Sequence, residues 1–127
     1  MHTLSASLES VAPGLVEIAL TPSSAVSQQH GFVHAGALAA IADSAAGYAA
    51  LSLMPAGMGV LTTEFKINLL APADGERAFA VGDVVRSGRT LTVCRLDAFV
   101  EKQGKRTHCA TGMQTLMSLV GRAGVKG

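Results

Sequence analysis

Tryptophan is absent from this chain of 127 residues, aromatic side chains make up only 4% of it, and charged side chains make up only 15%. The formal net charge is +1 and the basic residues are scattered, so the clustered cations that bind nucleic acid are missing. Small apolar residues are abundant and bring the hydrophobic fraction to 49%. The length suits one domain, residues 1–127. So little charge would leave apolar surface of a single chain in water, which favours a homo-oligomer.

Cysteine is also scarce. Cys94 and Cys109 belong to no CxxC motif and to no Cys/His ligand spacing, so no metal site is predicted from them. If Gln103-Gly104 forms a hairpin turn, Cys94 faces the region of Met113 rather than Cys109, and a disulfide is not expected. Both cysteines are therefore predicted to be reduced thiols in the core of a cytoplasmic protein.

Membrane and export signals are missing from the pattern as well. Residues 1–13 lack the basic start and the apolar run of a secretory signal. The most apolar window, residues 35–54, is long enough to cross a bilayer but contains Asp43, which is costly at its centre. No membrane segment is predicted.

Turns that contain proline and glycine divide the sequence into six elements. Over the helical segment the larger apolar residues recur at helical spacing and nearly all other positions are Ala, Gly or Ser, as in a helix buried on every side. The apolar period then changes to 2, which is typical of half-buried antiparallel strands. The predicted elements are strand 14–20, helix 36–54 and strands 60–70, 76–86, 90–101 and 105–119, with frayed ends at about 1–10 and 120–127.

This order of elements predicts the fold class. In strand 60–70, Leu61, Phe65 and Ile67 alternate with Thr62 and Lys66, so one face of that strand is expected to be buried. Four strands joined by short turns form an antiparallel sheet, and a single apolar helix must be covered by it. We therefore predict an α+β hotdog fold, an antiparallel sheet wrapped around one long central helix.

Asp43 is the strongest indication of chemistry. A carboxylate in an apolar helix is costly unless it is paired, hydrogen-bonded or protonated, and no Lys or Arg occurs between residues 31 and 65. One interpretation is a structural carboxylate that faces solvent or bonds to Ser44 or a neighbouring strand. The functional interpretation is a base or nucleophile.

The segment before the helix supplies a second candidate site. The first N–H groups of a helix lack internal partners and suit a developing oxyanion, which makes Ala35 and Gly36 candidate donors. His34 lies there too, although a cap or core role is the simpler interpretation of a lone histidine. His30 is four residues away, but no third ligand is apparent, so no metal is predicted.

His34 and Asp43 cannot act together within one chain. They are nine residues apart, which places them on opposite faces of a helix and roughly 13 Å apart along it. If both act on one substrate atom, the carboxylate comes from one subunit and the loop from another, at a two-fold interface. The prediction is a homodimer, with a dimer of dimers left open.

The stretch HGFVHAGALAAIADSAAG resembles the helix motif of PaaI-like hotdog thioesterases, N-x-x-G-x-x-HGG-x-x-x-x-L-x-D. TTEFKINLLAPA and VVRSGRTLTV resemble the strands that follow in that family, so the similarity extends over about residues 14–119. By this resemblance Asp43 matches the catalytic acid, Ala35 the residue whose N–H polarises the thioester carbonyl, and His34 the motif histidine. The chain departs from the motif in having HAG for HGG.

The resemblance implies further site residues. Gln28 stands at the position of the usual Asn that orients the carbonyl or water, and Thr62 where a hydroxyl often orients the water. Arg89, in the turn Ser87-Gly88-Arg89, would approach the phosphates of coenzyme A. The residues alone leave two alternatives open, an ordinary strand position for Thr62 and a solvated turn for Arg89.

The predicted function is hydrolysis of an acyl- or aryl-CoA thioester, with coenzyme A as part of substrate and product and with no metal or other cofactor. The alternatives are a hotdog hydratase or dehydratase acting on acyl thioesters, and a non-catalytic acyl-CoA-binding protein. The acyl group is expected to lie near Tyr48, Met54 and Met58.

Overall fold

The computed structural model describes residues 6–21 and 34–120 of the chain. Within them a single helix packs against a single sheet of six strands, and every strand pair is antiparallel. The elements are β1 Ala6–Ala12, β2 Leu15–Leu20, α1 Ala35–Leu51, β3 Met58–Leu69, β4 Arg77–Ser87, β5 Leu91–Lys102 and β6 Lys105–Val120. The strand order across the sheet is β1-β2-β4-β5-β6-β3, so β1 and β3 are the edge strands.

The predicted strands and helix are all present, and one strand was missed. The prediction of a frayed end at about residues 1–10 is wrong for residues 6–10, because β1 pairs with β2 from Ala6↔Leu20 to Ala12↔Leu15. Gly14 makes the turn between these strands with φ of 75°, a conformation that favours glycine. Six of the seven residues of β1 are exposed, so the alternation that marks a half-buried strand is absent from it.

Small residues let α1 lie directly on the sheet. Ala42, Ala45 and Ala46 have no exposed surface, and Gly82 of β4 faces them. A Cβ atom on Gly82 would lie 2.5 Å from the Ala45 carbonyl carbon, so only glycine permits this approach. The opposite side of the helix is open, since Asp43 is exposed. The prediction of a helix buried on every side is therefore wrong for the single chain.

The β5–β6 hairpin forms at the predicted turn, but its register shifts farther on. Gln103 and Gly104 have φ of 52° and 79°, as in a type I′ turn. A bulge at Cys109 then adds one residue to β6, so Cys94 pairs with Gln114 instead of Met113. Pairing with Cys94 directs the Gln114 side chain towards the helix, whereas Met113 is 42% exposed on the outer face.

The two cysteines are free and buried, as predicted. Burial, with a smaller effect from Asp83, raises the pKa of Cys94 to about 11. Burial also raises the pKa of Cys109. Neither thiol is an activated nucleophile, because a nucleophilic cysteine requires a lowered pKa.

A second bulge changes which residues of β3 face inward. Thr62 pairs with Leu116 and Glu64 with Thr115, which leaves Thr63 as the extra residue. An extra residue reverses the facing of all residues before it. The prediction that Leu61 shares a buried face with Phe65 is therefore wrong: Leu61 is 51% exposed and Thr62 points towards the helix.

Candidate active site

Asp43 projects from the open side of α1 towards β3 and β6. Its Oδ1 atom accepts a hydrogen bond from Thr62 Oγ1 at 3.1 Å and another from Gln114 Nε2 at 2.6 Å. Gln114 Nε2 also donates to Thr62 Oγ1 at 2.9 Å, so the three side chains form a closed triangle. Over residues 6–21 and 34–120, Oδ2 accepts no hydrogen bond and no cation pairs with the carboxylate.

Gln114 is the residue of this cluster that the sequence did not indicate. It is 1% exposed, and its Oε1 atom is buried without a hydrogen-bond partner in the described part of the chain. A polar residue in the middle of β6 was a weak signal, and the expected register turned it outward. The bulge at Cys109 brings it to Asp43, and nothing in the sequence marks that bulge.

The start of α1 presents backbone N–H groups. His34 is the N-cap residue, and its ring Nδ1 accepts a hydrogen bond from the Gly36 N–H at 2.9 Å. The His34 carbonyl accepts from the Ala37 N–H at 2.9 Å and from the Leu38 N–H at 3.2 Å. The Ala35 N–H has no acceptor among the residues that the structure describes. Of the two predicted oxyanion donors, the Gly36 N–H is therefore occupied by His34, which leaves the Ala35 N–H as the candidate.

Asp43 and the Ala35 N–H lie far apart along the same helix. Eight residues of α-helix separate them by about 12 Å. The N–H groups of a first helical turn point away from the rest of the helix, whereas Asp43 points sideways to the sheet. The two groups cannot contact the same carbonyl within one chain.

A groove runs beside Asp43 along the open side of the helix. It has a volume of about 210 Å³ and is lined by Ser44, Gly47, Tyr48, Leu51 and Val60. Apart from the hydroxyl groups of Ser44 and Tyr48, the side chains that line it are apolar. Tyr48 was predicted near the acyl group and borders the groove, but the predicted methionines do not line it.

The remaining predicted site residues are Gln28 and the three residues of one turn. Gln28 lies outside the described residues. Ser87, Gly88 and Arg89 form the β4–β5 turn, in which the Gly88 N–H donates to the Leu91 carbonyl at 2.8 Å and Arg89 is exposed. The turn lies at the same end of the sheet as Val60 in the groove, because the residue after Arg89 accepts from Ser118, which pairs with Val60.

A larger cavity, of about 430 Å³, lies elsewhere, at the β5–β6 turn. Lys102 and Asp74 face each other there at 2.8 Å, and no residue of the Asp43 cluster lines it. In the segments 6–21 and 34–120, no three His, Cys, Asp or Glu side chains are placed to hold a metal ion. No helix in these segments is long and apolar enough to cross a membrane.

Comparisons with known proteins identify relatives of the whole chain. The sequence profile of the thioesterase superfamily matches residues 30–107. The structure of a thioesterase family protein from Silicibacter pomeroyi is 47% identical in sequence, with a TM-score of 0.92 over 95% of this chain and 89% of that one. A comparison with curated proteins gave no match.

Two more distant structures support the fold alone. Thioesterase HI1161 from Haemophilus influenzae is 20% identical, with a TM-score of 0.84 over 94% of this chain and 81% of that one. The E. coli PaaI protein from the phenylacetic acid degradation operon is 22% identical, with a TM-score of 0.81 over 94% and 83%. Together with the family match, these similarities confirm the predicted hotdog fold.

Proposed function

The chain belongs to the thioesterase superfamily, and we propose that it hydrolyses an acyl- or aryl-CoA thioester to the free acid and coenzyme A. The observation that carries this proposal is the Asp43 carboxylate beside an apolar groove, held by Thr62 and Gln114 through one oxygen only. The proposed catalytic set is Asp43 with Thr62, the Ala35 N–H, and the flanking His34, Gly36 and Gln28.

Asp43 is the proposed base or nucleophile. As a base, its Oδ2 atom removes a proton from water, and the hydroxide adds to the thioester carbonyl carbon. The C–S bond then breaks and the thiolate leaves with the electron pair. As a nucleophile, Oδ2 attacks the carbonyl directly, and water opens the resulting anhydride. A thiol of pKa about 8.5 leaves readily in either case, so the site needs no strong general acid.

The Ala35 N–H is the proposed donor to the carbonyl oxygen. Negative charge develops on that oxygen as the carbonyl carbon becomes tetrahedral, and a fixed N–H at a helix start stabilises it. The role that we propose for His34 is to cap the Gly36 N–H and thereby fix the turn that presents Ala35. Gly36 then serves the shape of the turn and not the binding of the oxyanion.

In this proposal Asp43 and the Ala35 N–H of one site come from different subunits, because one chain cannot bring both to the same carbonyl. β3 is an edge strand of 12 residues without proline, and a long open edge favours pairing with another chain. Pairing of β3 with its copy about a two-fold axis would cover the open side of α1 in both subunits. We propose a homodimer of this kind, in which the partner's helix start approaches Asp43 and each site is shared.

The coenzyme A moiety is proposed to lie towards the β4–β5 turn. Arg89 is exposed there, at the groove's end of the sheet, and a guanidinium is well suited to bind phosphate. Ser87 and Gly88 contribute the shape of the turn.

Hydration of an enoyl thioester is less well supported. That chemistry uses a His–carboxylate pair, and within the described residues the only such pair is His108 with Asp97, at 2.8 Å on the outer face of the sheet. The ring Nδ1 of His34 already accepts from the Gly36 N–H, so the neutral ring has no free basic nitrogen to pair with a carboxylate.

Thiol release from a panel of short, medium, long and aryl acyl-CoA substrates tests the proposed function. We expect turnover with at least one class, and a loss of roughly 10²- to 10⁴-fold in kcat for Asp43→Asn, which keeps the shape but removes the base. Loss of enoyl absorbance without thiol release would instead identify a hydratase. Tight acyl-CoA binding without turnover would identify a binding protein.

A further inference from the structure

The amide of Gln114 occupies an unusual position beside the carboxylate. Both hydrogens of Nε2 are used, one on Asp43 Oδ1 at 2.6 Å and one on Thr62 Oγ1 at 2.9 Å. The opposite orientation of the amide would bring its carbonyl oxygen against a carboxylate oxygen, and an ionised carboxylate only accepts hydrogen bonds. The orientation of Gln114 is therefore set by Asp43.

The other end of the same amide is unsatisfied. Gln114 Oε1 is buried and has no hydrogen-bond partner within residues 6–21 and 34–120. An unpaired buried carbonyl lowers stability, so an apolar side chain of the same length would suit this position better for folding alone. The presence of an amide is therefore explained by the hydrogen bonds that its nitrogen donates at Asp43 and not by its contribution to folding.

Resting on the proposed function, we infer that Gln114 is a positioning residue for the reaction. Together with Thr62 it holds Asp43 Oδ1, which leaves Oδ2 without a hydrogen bond from the described residues and therefore as the oxygen that reacts. The hydroxyl hydrogen of Thr62 is donated to Oδ1, and one of its lone pairs accepts from Gln114. Thr62 can then orient a water molecule only as an acceptor, through its second lone pair.

Gln114→Met tests this role, because it keeps the length of the side chain and removes the donor. We expect kcat to fall roughly 10- to 100-fold, the range for loss of a hydrogen bond to a charged group. KM should change little, because Gln114 lines no part of the groove. The Tm should stay within about 3 °C of that of the wild type or rise, since the unpaired carbonyl is also removed.

Thr92→Val is the matched control. Thr92 lies on the neighbouring strand, is equally buried, and has an unpaired Oγ1 in the described part of the chain, but it contributes nothing to the Asp43 triangle. Its replacement should leave kcat unchanged. Gln114→Leu serves as a second variant in case methionine packs poorly, and the same fall in kcat is expected from it.

Two outcomes separate the inference from the proposed function. If the wild type and Asp43→Asn behave as proposed but a folded Gln114→Met or Gln114→Leu variant keeps full kcat, only the positioning role is wrong. If the wild type hydrolyses no thioester, the proposed function itself fails.

Adding Gln114→Met to Asp43→Asn should lower the residual rate no further, because Gln114 acts through the carboxylate. An additive loss would overturn the inference.

Discussion

At the scale of single residues, Asp43 was found from sequence because its chemistry conflicts with its surroundings. A carboxylate among alanines and without a nearby cation stands out in the sequence, however the strands pair. Thr62 was indicated only by the family resemblance, and Gln114 by neither route. Their places depend on two β-bulges, and a bulge is decided by tertiary pairing rather than by the composition of the strand.

The Ala35 N–H can be removed with little change to the helix. Ala35 is the first helical residue, a position that tolerates proline, and His34 has φ of −63° and ψ of 136°, which suits the residue before a proline. Ala35→Pro should therefore fold normally and lower kcat roughly 10²- to 10³-fold, as when an oxyanion donor is lost. Circular dichroism checks the folding of the variant, and thiol-release kinetics check the fall in kcat.

Ala35→Gly is the control for that substitution, since it keeps the N–H and restores the HGG of the family motif. It should retain far more activity than Ala35→Pro. Equal activity in the proline variant and the wild type would show that the Ala35 N–H does not bind the oxyanion.

At the scale of elements, most of the fold follows from period and turn chemistry. The type I′ turn at Gln103-Gly104 and the long runs of alternation located β3 to β6 to within about two residues, a usual margin for element ends. β1 was missed because nothing in it alternates. The helix was predicted to be buried on every side because alanine occurs all around it. Alanine is compatible with both environments of the helix, the sheet on one side and the open groove on the other, so the sequence does not distinguish them.

The contact between α1 and β4 gives a prediction for stability. Gly82→Ala should destabilise the fold by about 1–3 kcal/mol, because its Cβ would overlap the backbone of Ala45, which cannot move alone. Gly47→Ala is the matched substitution on the open side of the helix, where a Cβ meets nothing within 4 Å. Its helix propensity should raise stability by up to about 1 kcal/mol. Urea unfolding of both variants tests this, and a stable Gly82→Ala protein would contradict the packing described.

At the scale of the whole molecule, the scarcity of charge predicted that the chain does not work alone. In the dimer that we propose, the partner would cover Tyr48 and Leu61, which are 46% and 51% exposed in the single chain, along the open edge of β3. The separation between His34 and Asp43 could be predicted from the sequence, because helix geometry alone determines it. The sequence could not identify β3 as the strand through which we propose that the subunits pair, because edge strands are defined only once the sheet order is known.

The central claim is that each site combines Asp43 of one subunit with the Ala35 N–H of another, and complementation tests it most directly. Asp43→Ala and Ala35→Pro are each nearly inactive alone in this account. When equal amounts are unfolded, mixed and refolded, half of the dimers are mixed and each mixed dimer has one intact site. Thiol release should then recover to about a quarter of the refolded wild-type rate. A mixture that remains as inactive as its two components, although mixed dimers have formed, would contradict the shared site.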